Sequence, residues 1–272
     1  MSSLIGALDH FSIVIVTGGS SGIGKSFIEL GSKLQPRIQF CNLSRRVPAT
    51  YKLDIKLNHF GCDLSRASDI EAVVPQLTDF LRQAAPTGRI LLVNNSGFGA
   101  YGVFPEPSLE HQLEMLDVNL RGLVHLTGRL LPLLRERGGA IINVSSLAGF
   151  QPTPYMASYG ASKAFVLHWS LALHEELRGT GVQTLALCPG PTATEFFRRA
   201  GLAPGSVGDA LSLTSEAVVE AALRGLAAGR RQVVPGWKNK LAAFAVSKLP
   251  KPLAARLAAS VLRRYRLRQV SR

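Results

Sequence analysis

Ser12-Ile13-Val14-Ile15-Val16-Thr17-Gly18-Gly19-Ser20-Ser21-Gly22-Ile23-Gly24 decides how this chain is read. Ser12 to Val16 is a short β-branched, apolar run that ends at a glycine turn, the pattern of a buried strand. Gly22 to Lys33 then carries the pattern of a helix. In the turn between them, Gly18 supplies the tight bend, Gly22 lets a pyrophosphate approach the backbone, and Gly24 lets helix and strand pack closely. Ser20, Ser21 and Ile23 complete the loop. The helix start then offers N–H groups and a positive dipole end to phosphates. Glycine turns also occur in structural loops, so the position after a first strand and before a helix carries the reading.

The same alternation runs through the chain. Arg37–Leu43, Leu57–Cys62, Arg89–Val93, Ala140–Val144 and Gln183–Leu187 read as strands, with Arg231–Val234 as a short last one. Helical patterns cover Ser68–Ala84, Leu109–Arg137, a stretch ending near Arg178, and Ser215–Ala228. Strands alternating with helices of this length predict an α/β fold, a Rossmann-type doubly wound parallel sheet. Such sheets bind ligands beyond the carboxyl ends of their strands.

The 272 residues, 46% hydrophobic and 18% charged, suit one large globular domain. Three scattered cysteines without a CxxC predict packed thiols in a reducing compartment. Six histidines show no HExxH spacing, so no metal is expected. The start, Met1-Ser2-Ser3, lacks a basic signal region, and no run of about 18 apolar residues occurs, so the expected location is cytoplasmic.

The net charge of +13 is unevenly placed: Trp237 to Arg272 holds ten Lys/Arg and no Asp/Glu. This divides the chain into residues 1–236, a near-neutral body, and residues 237–272, a basic extension. Leu241, Phe244, Leu249, Leu253, Leu257, Val261 and Tyr265 mark an apolar stripe, divided by Pro250 and Pro252, so two short amphipathic helices are expected. Packing onto the body or a second subunit is the first reading of the tail, and a peripheral contact with an anionic membrane the second. No nucleic-acid recognition motif accompanies the charge, so nucleic acid is not expected as a partner.

Tyr159 and Lys163 stand four residues apart in Tyr159-Gly160-Ala161-Ser162-Lys163, on one face of a helix. A cation beside a phenol favours the phenolate, so the pair predicts a lowered tyrosine pKa and a general acid/base for a carbonyl oxygen. Tyr155 precedes Tyr159 by the same interval but meets no lysine there, which leaves a pocket residue or a surface tyrosine.

Together these pieces resemble the short-chain dehydrogenase/reductase (SDR) family across Ile13 to Val234. The family's TGxxxGxG is Thr17 to Gly24; its NNAG is Asn94-Asn95-Ser96-Gly97, with Ser96 in place of alanine. Its Ser-Tyr-Lys set matches Ser146, Tyr159 and Lys163, and its helix asparagine matches Asn119. Its PG motif is Pro189-Gly190, followed by Pro191-Thr192-Ala193-Thr194. The resemblance implies that Tyr159 passes the proton and Lys163 lowers its pKa and holds the nicotinamide ribose. It also implies that Ser146 holds the substrate oxygen, with Ser145 nearer the cofactor, and that Asn119 holds a relay water. It further implies cofactor contacts from Asn95, Ser96, Gly97, Pro189, Gly190, Thr192 and Thr194, and a homodimer or homotetramer.

Cofactor choice turns on Leu43-Ser44-Arg45-Arg46, which has no acid at the end of the second strand. Ser44 leaves space, and Arg45, with Arg46 beside it, can pair with a ribose 2′-phosphate, so NADP(H) is expected ahead of NAD(H). Asp63, followed by Leu64, matches the family acid that bonds the adenine amino group, or else caps the next helix. The substrate side is apolar: Phe98, Leu147, Phe150, Tyr155, Met156, Phe196 and Phe197 are expected around a lipophilic ketone or aldehyde. Two rival readings are a non-catalytic NADP(H)-binding sensor and a membrane-surface module; the intact serine, tyrosine and lysine set argues against the first.

Overall fold

The computed structural model describes residues 4, 6–48, 55–196, 200 and 212–266. Seven strands form one parallel sheet in the order β3-β2-β1-β4-β5-β6-β7. They are β1 (Phe11–Thr17), β2 (Gln39–Ser44), β3 (Leu57–Gly61), β4 (Arg89–Asn94), β5 (Gly139–Val144), β6 (Val182–Leu187) and β7 (Gln232–Val233). Between them run α1 (Gly22–Leu34), α2 (Ala67–Ala84), α3 (Leu109–Leu116), α4 (Leu123–Arg137), α5 (Ala157–Glu176) and α6 (Ser215–Ala227). Two further helices close the described chain, α7 (Trp237–Lys248) and α8 (Lys251–Arg266).

Alternation of side chains along the strands builds two cores. Val14 and Val16 of β1, Leu91 and Val93 of β4, and Ile142 of β5 face α1 and α6 through Phe27, Ile28, Val218 and Leu223. Ile13, Ile15, Leu92 and Ile141 face the opposite way, against Ile70 and Leu77 of α2 and Leu126 and Leu130 of α4. Covering both faces is what a parallel sheet of continuous apolar strands requires. All three cysteines are free and buried, packed as small apolar groups.

Strand order reverses between β1 and β4, since β1 continues to β2 on one side and β4 to β5 on the other. That switch point opens a crevice at the strands' carboxyl ends, where the sheet predicts a ligand. Leu109–Arg137, which reads as one helix, is broken by a π-helical segment at Asp117–Gly122 that joins α3 to α4. Such widened turns recur at functional sites, and this one carries Asn119.

Candidate active site

The glycine loop sits directly after β1, and Gly18 and Gly22 take φ of +69° and +56°, which a side chain would strain. Thr17 fastens the loop from behind: its Oγ1 accepts from the N–H groups of Asn95 and Ser96, both 2.9 Å away. Asn95 Nδ2 donates to the carbonyls of Thr17 and Gly18 at 3.0 and 3.2 Å. Gly19 N–H donates to Asn42 Oδ1 at 2.7 Å, while Asn42 Nδ2 donates to Ser44 Oγ at 2.9 Å and also meets His59 Nδ1. Asn42 is wholly buried in β2. Its signal in the sequence, one amide inside the apolar run Phe40-Cys41-Asn42-Leu43, is visible but does not by itself point to the glycine loop.

A cavity of about 680 Å³ lies over this loop. Gly18, Ser20, Ser21, Gly22 and Ile23 form its floor at the start of α1. Ser21, the residue before that helix, makes no side-chain cap hydrogen bond, and the first turn holds no acid. The helix therefore presents N–H donors and a positive dipole end to the cavity. Glycines where a Cβ would crowd the loop, uncapped donors and a positive end fit the pyrophosphate of a dinucleotide. Gly24 lies beneath the loop rather than on the cavity wall, packed against the Gly18 carbonyl.

One end of the cavity is lined by Ser44, Arg45, Arg46, Asp63 and Leu64. Arg45 Nη1 donates to Glu114 Oε1 at 3.0 Å and lies 3.9 Å from Asp63 Oδ2. Glu114, on α3, has no motif in the sequence that would single it out. Asp63 does not cap α2, whose N-cap residue is Arg66; its Oδ1 accepts from Ser65 N–H and Oγ at 3.0 and 2.7 Å. Its pKa lies below the ordinary value: burial works against the shift, and the Ser65 hydrogen bonds and the guanidiniums of Arg45 and Arg66 outweigh it. Asn95, Ser96 and Gly97 line the centre, and Pro189, Gly190, Thr192 and Thr194 the opposite lip. The Thr194 methyl lies 3.2 Å from where a Gly22 Cβ would stand, so a side chain at Gly22 would press on this lip.

At the other end Ser146, Tyr159 and Lys163 converge. Ser146, just beyond β5, begins a 3₁₀ turn at Leu147–Phe150 and accepts from Ala148 N–H at 3.1 Å. Its own O–H is left to donate to the Tyr159 oxygen. Ser145 also lines the cavity, and its hydroxyl donates to the Lys163 carbonyl at 2.6 Å, tying β5 to α5. Lys163 Nζ donates to the Val144 carbonyl at 2.8 Å and lies 5.8 Å from the Tyr159 ring centre. Phe196 lies tilted at 5.2 Å from that ring.

The expected lowering of the tyrosine pKa is not what the structure gives. Burial disfavours both charged forms, pushing Tyr159 up to about 12 despite the Ser146 hydrogen bond, and Lys163 down to about 8. The lysine lies 5.8 Å from the ring centre, and burial, opposed by the Ser146 hydrogen bond, sets the direction of the tyrosine's shift. Between about 8 and its ordinary 10.5, Lys163 binds a proton in the unfolded chain but not in the folded one. This group's penalty is therefore full below pH 8 and relieved as pH rises to 10.5. Urea unfolding of Lys163→Met against the parent should show any neutral-pH advantage of the variant shrinking across that window. An advantage independent of pH would contradict the buried-ammonium account.

Asn119 is buried beneath the cavity. Its Oδ1 accepts from Phe98 N–H at 3.2 Å, and its Nδ2 donates to the Phe98 carbonyl and to Ser162 Oγ at 3.0 and 3.1 Å. Its carboxamide thus holds the loop after β4 against α5. Phe98, Leu147, Met156 and Phe196 line the cavity. Phe150 does not: it packs against Leu167, Ala186 and Cys188, because the 3₁₀ turn rotates it away from the mouth. Tyr155 does not line it either; at φ +66° it packs beside Tyr101, behind Met156. Phe197 lies outside the described residues. His111, Gln151, Thr153 and Glu195 join the lining, although no motif in the sequence marks them.

The chain is similar to known proteins in sequence and in fold. The family model described as short chain dehydrogenase matches residues 12–203. Sulfoacetaldehyde reductase 2 of Chromohalobacter salexigens is 31% identical over 194 residues, 68% of this chain and 74% of that protein. A short-chain dehydrogenase from Sphingobium yanoikuyae, in complex with NADPH, matches at TM-score 0.71 and 27% identity, covering 89% of this chain and 97% of that one. A short chain dehydrogenase from Burkholderia cenocepacia, in complex with NADP, matches at TM-score 0.74 and 25% identity, covering 91% and 98%.

Proposed function

The chain belongs to the short-chain dehydrogenase family, and we propose that it is an NADP(H)-dependent oxidoreductase that reduces a lipophilic ketone or aldehyde. One observation carries the reading: the Ser146 hydroxyl, Tyr159 and Lys163 meet at a cavity whose glycine floor fits a dinucleotide and whose other lining includes Phe98, Leu147, Met156 and Phe196. The NADPH and NADP of the two similar structures support the cofactor.

A nicotinamide dinucleotide held on the glycine floor would supply the hydride. Tyr159, held protonated with its pKa near 12, is in the form that gives a proton to a carbonyl oxygen. Ser146 donates a second hydrogen bond to that oxygen and fixes its position. Lys163 would hold the nicotinamide ribose and pass a proton back towards the tyrosine; Asn119 keeps the Phe98 backbone and the lysine-bearing helix in register. Asn95, Ser96, Gly97, Pro189, Gly190, Thr192 and Thr194, which line the cavity, would flank the dinucleotide, and Asp63 and Leu64 would hold its adenine end.

Arg45 and Arg46 with Ser44 would hold the 2′-phosphate. A charged hydrogen bond to phosphate contributes about 1.5–3 kcal/mol, so Arg45→Asp should weaken NADPH by roughly 10–100-fold and leave NADH little changed. Titration of both cofactors checks this, and an unchanged preference would remove the 2′-phosphate contact. A homodimer or homotetramer is in keeping with exposed Leu113, Val124 and Phe165 on α3, α4 and α5. NADPH oxidation against ketones and aldehydes graded by chain length tests the whole reading. Turnover rising with apolar size is expected, and tight NADPH binding with no turnover would favour a sensor.

A further inference from the structure

The two tail helices dock on the body with their small residues and keep their large apolar ones outside. Ala243 of α7 and Ala254 and Ala258 of α8 are buried. Asn239 packs on Gly190 and donates to the Pro235 carbonyl at 3.0 Å. Lys251 Nζ donates to the Phe150 carbonyl at 3.2 Å, and Tyr101 Oη to the Leu262 carbonyl at 2.7 Å. The helices are therefore fixed next to the elements that form the substrate end of the cavity.

On the outer side Trp237, Leu241 and Phe244 are 71%, 61% and 63% exposed. They recur at i, i+4 and i+7, one face of α7. Leu253, Leu257 and Val261 of α8, at i, i+4 and i+8, are 45–53% exposed. Ordinary solvated helices place their apolar stripe against the core; here alanines take that role and the bulky stripe faces out. Lysines flank it: Lys238 Nζ lies 5.8 Å from the Trp237 ring centre and Lys248 Nζ 5.7 Å from that of Phe244. Lys240, Arg256 and Arg263 are exposed as well. No acid occurs from Trp237 onward, and among the described residues no helix is long and apolar enough to cross a membrane.

We propose that α7 and α8 form a docking face for an anionic lipid bilayer, lying in the interface plane with the Trp237, Leu241, Phe244, Leu253, Leu257 and Val261 stripe immersed. The charge selects this occupant. A second copy of the same face would bring two acid-free cationic surfaces together, whereas anionic headgroups attract each basic residue by about 1 kcal/mol and the acyl boundary takes the stripe. Docking stands apart from the catalytic reading. Only its consequence, that a ketone dissolved in lipid reaches the cavity from the bilayer, rests on that reading.

Full-length protein carrying Trp169→Phe, so that Trp237 alone fluoresces, is mixed with phosphatidylcholine vesicles with or without phosphatidylglycerol. Bound fraction is read by sedimentation, and insertion by the blue shift of Trp237. The expected result is binding and a blue shift with the anionic vesicles only, weakened by salt. Leu241→Ser with Phe244→Ser should lower the affinity at least about tenfold, since one buried side chain of this size contributes about that alone. Lys238→Glu with Lys240→Glu should abolish the preference for anionic lipid. These positions are exposed, and a circular dichroism spectrum and NADPH affinity matching the parent verify that the variants fold. The proposal is overturned by no binding to either vesicle, by equal binding to both, or by a blue shift that tracks protein concentration without vesicles. The last result would assign the face to a second copy of the chain.

Discussion

Tyr159→Phe should lower turnover by roughly 10²–10⁴-fold while leaving NADPH binding unchanged. The ring is 7% exposed, packed against Phe196 in a cluster with Tyr101, Met115 and Met156, and phenylalanine keeps every one of those contacts. The substitution removes one hydroxyl and with it the proton donor. Ser146 keeps its bond from Ala148 N–H and can still approach a carbonyl oxygen, so substrate binding should survive better than chemistry. The measurement is kcat at saturating ketone beside a cofactor titration. Turnover within about tenfold of the parent would remove Tyr159 from the acid/base role.

Gly24→Ala should disable the nucleotide site by a different route. A Cβ there collides with the Gly18 carbonyl oxygen and stands 2.5 Å from Asn95 Nδ2, the group that donates to the Thr17 and Gly18 carbonyls. Backbone cannot yield as a flexible side chain does, so either α1 moves off β1 or the loop loses its Asn95 clamp. Overpacking of this kind costs about 1–3 kcal/mol, and loop displacement should weaken NADPH further. Gly128→Ala is the matched control: it sits within α4 with nothing within 4 Å of the added carbon. There the exchange should stabilise by about 0.5–1 kcal/mol. Thermal unfolding with and without NADPH separates the two effects. Equal behaviour of the variants would show that Gly24 is not where helix and loop are held together.

Strands and helices are legible in the sequence because burial on both faces of a parallel sheet leaves unbroken apolar runs such as Ile13–Val16 and Ile90–Val93. The glycine turn at Gly18–Gly24 marks where β1 gives way to α1 and where a phosphate can sit. The convergence of Ser146, Tyr159 and Lys163 is legible through the family resemblance rather than through periodicity. Local backbone geometry sets the remainder and leaves no trace in the pattern. The π segment around Asn119 adds one residue to a turn with no change of composition. The 3₁₀ turn and the positive φ of Tyr155 rotate Phe150 and Tyr155 out of the cavity although both lie between Ser146 and Tyr159. The pKa of Tyr159 departs from expectation because an i,i+4 lysine is visible in the sequence and the burial that both groups share is not. In the tail, the apolar positions are visible, but which side meets the body depends on the fit of Ala243, Ala254 and Ala258.

The central claim is hydride transfer to a carbonyl from NADPH held on the glycine loop, with Tyr159 giving the proton. The most direct measurement is mass spectrometry of the alcohol formed from a lipophilic ketone with NADPH deuterated at its reactive nicotinamide carbon. The account predicts deuterium at the carbinol carbon of the parent's product and roughly 10²–10⁴-fold slower formation of that product by Tyr159→Phe. Alcohol that carries no deuterium from either face of the labelled cofactor, or labelled alcohol formed equally by the variant, would contradict it.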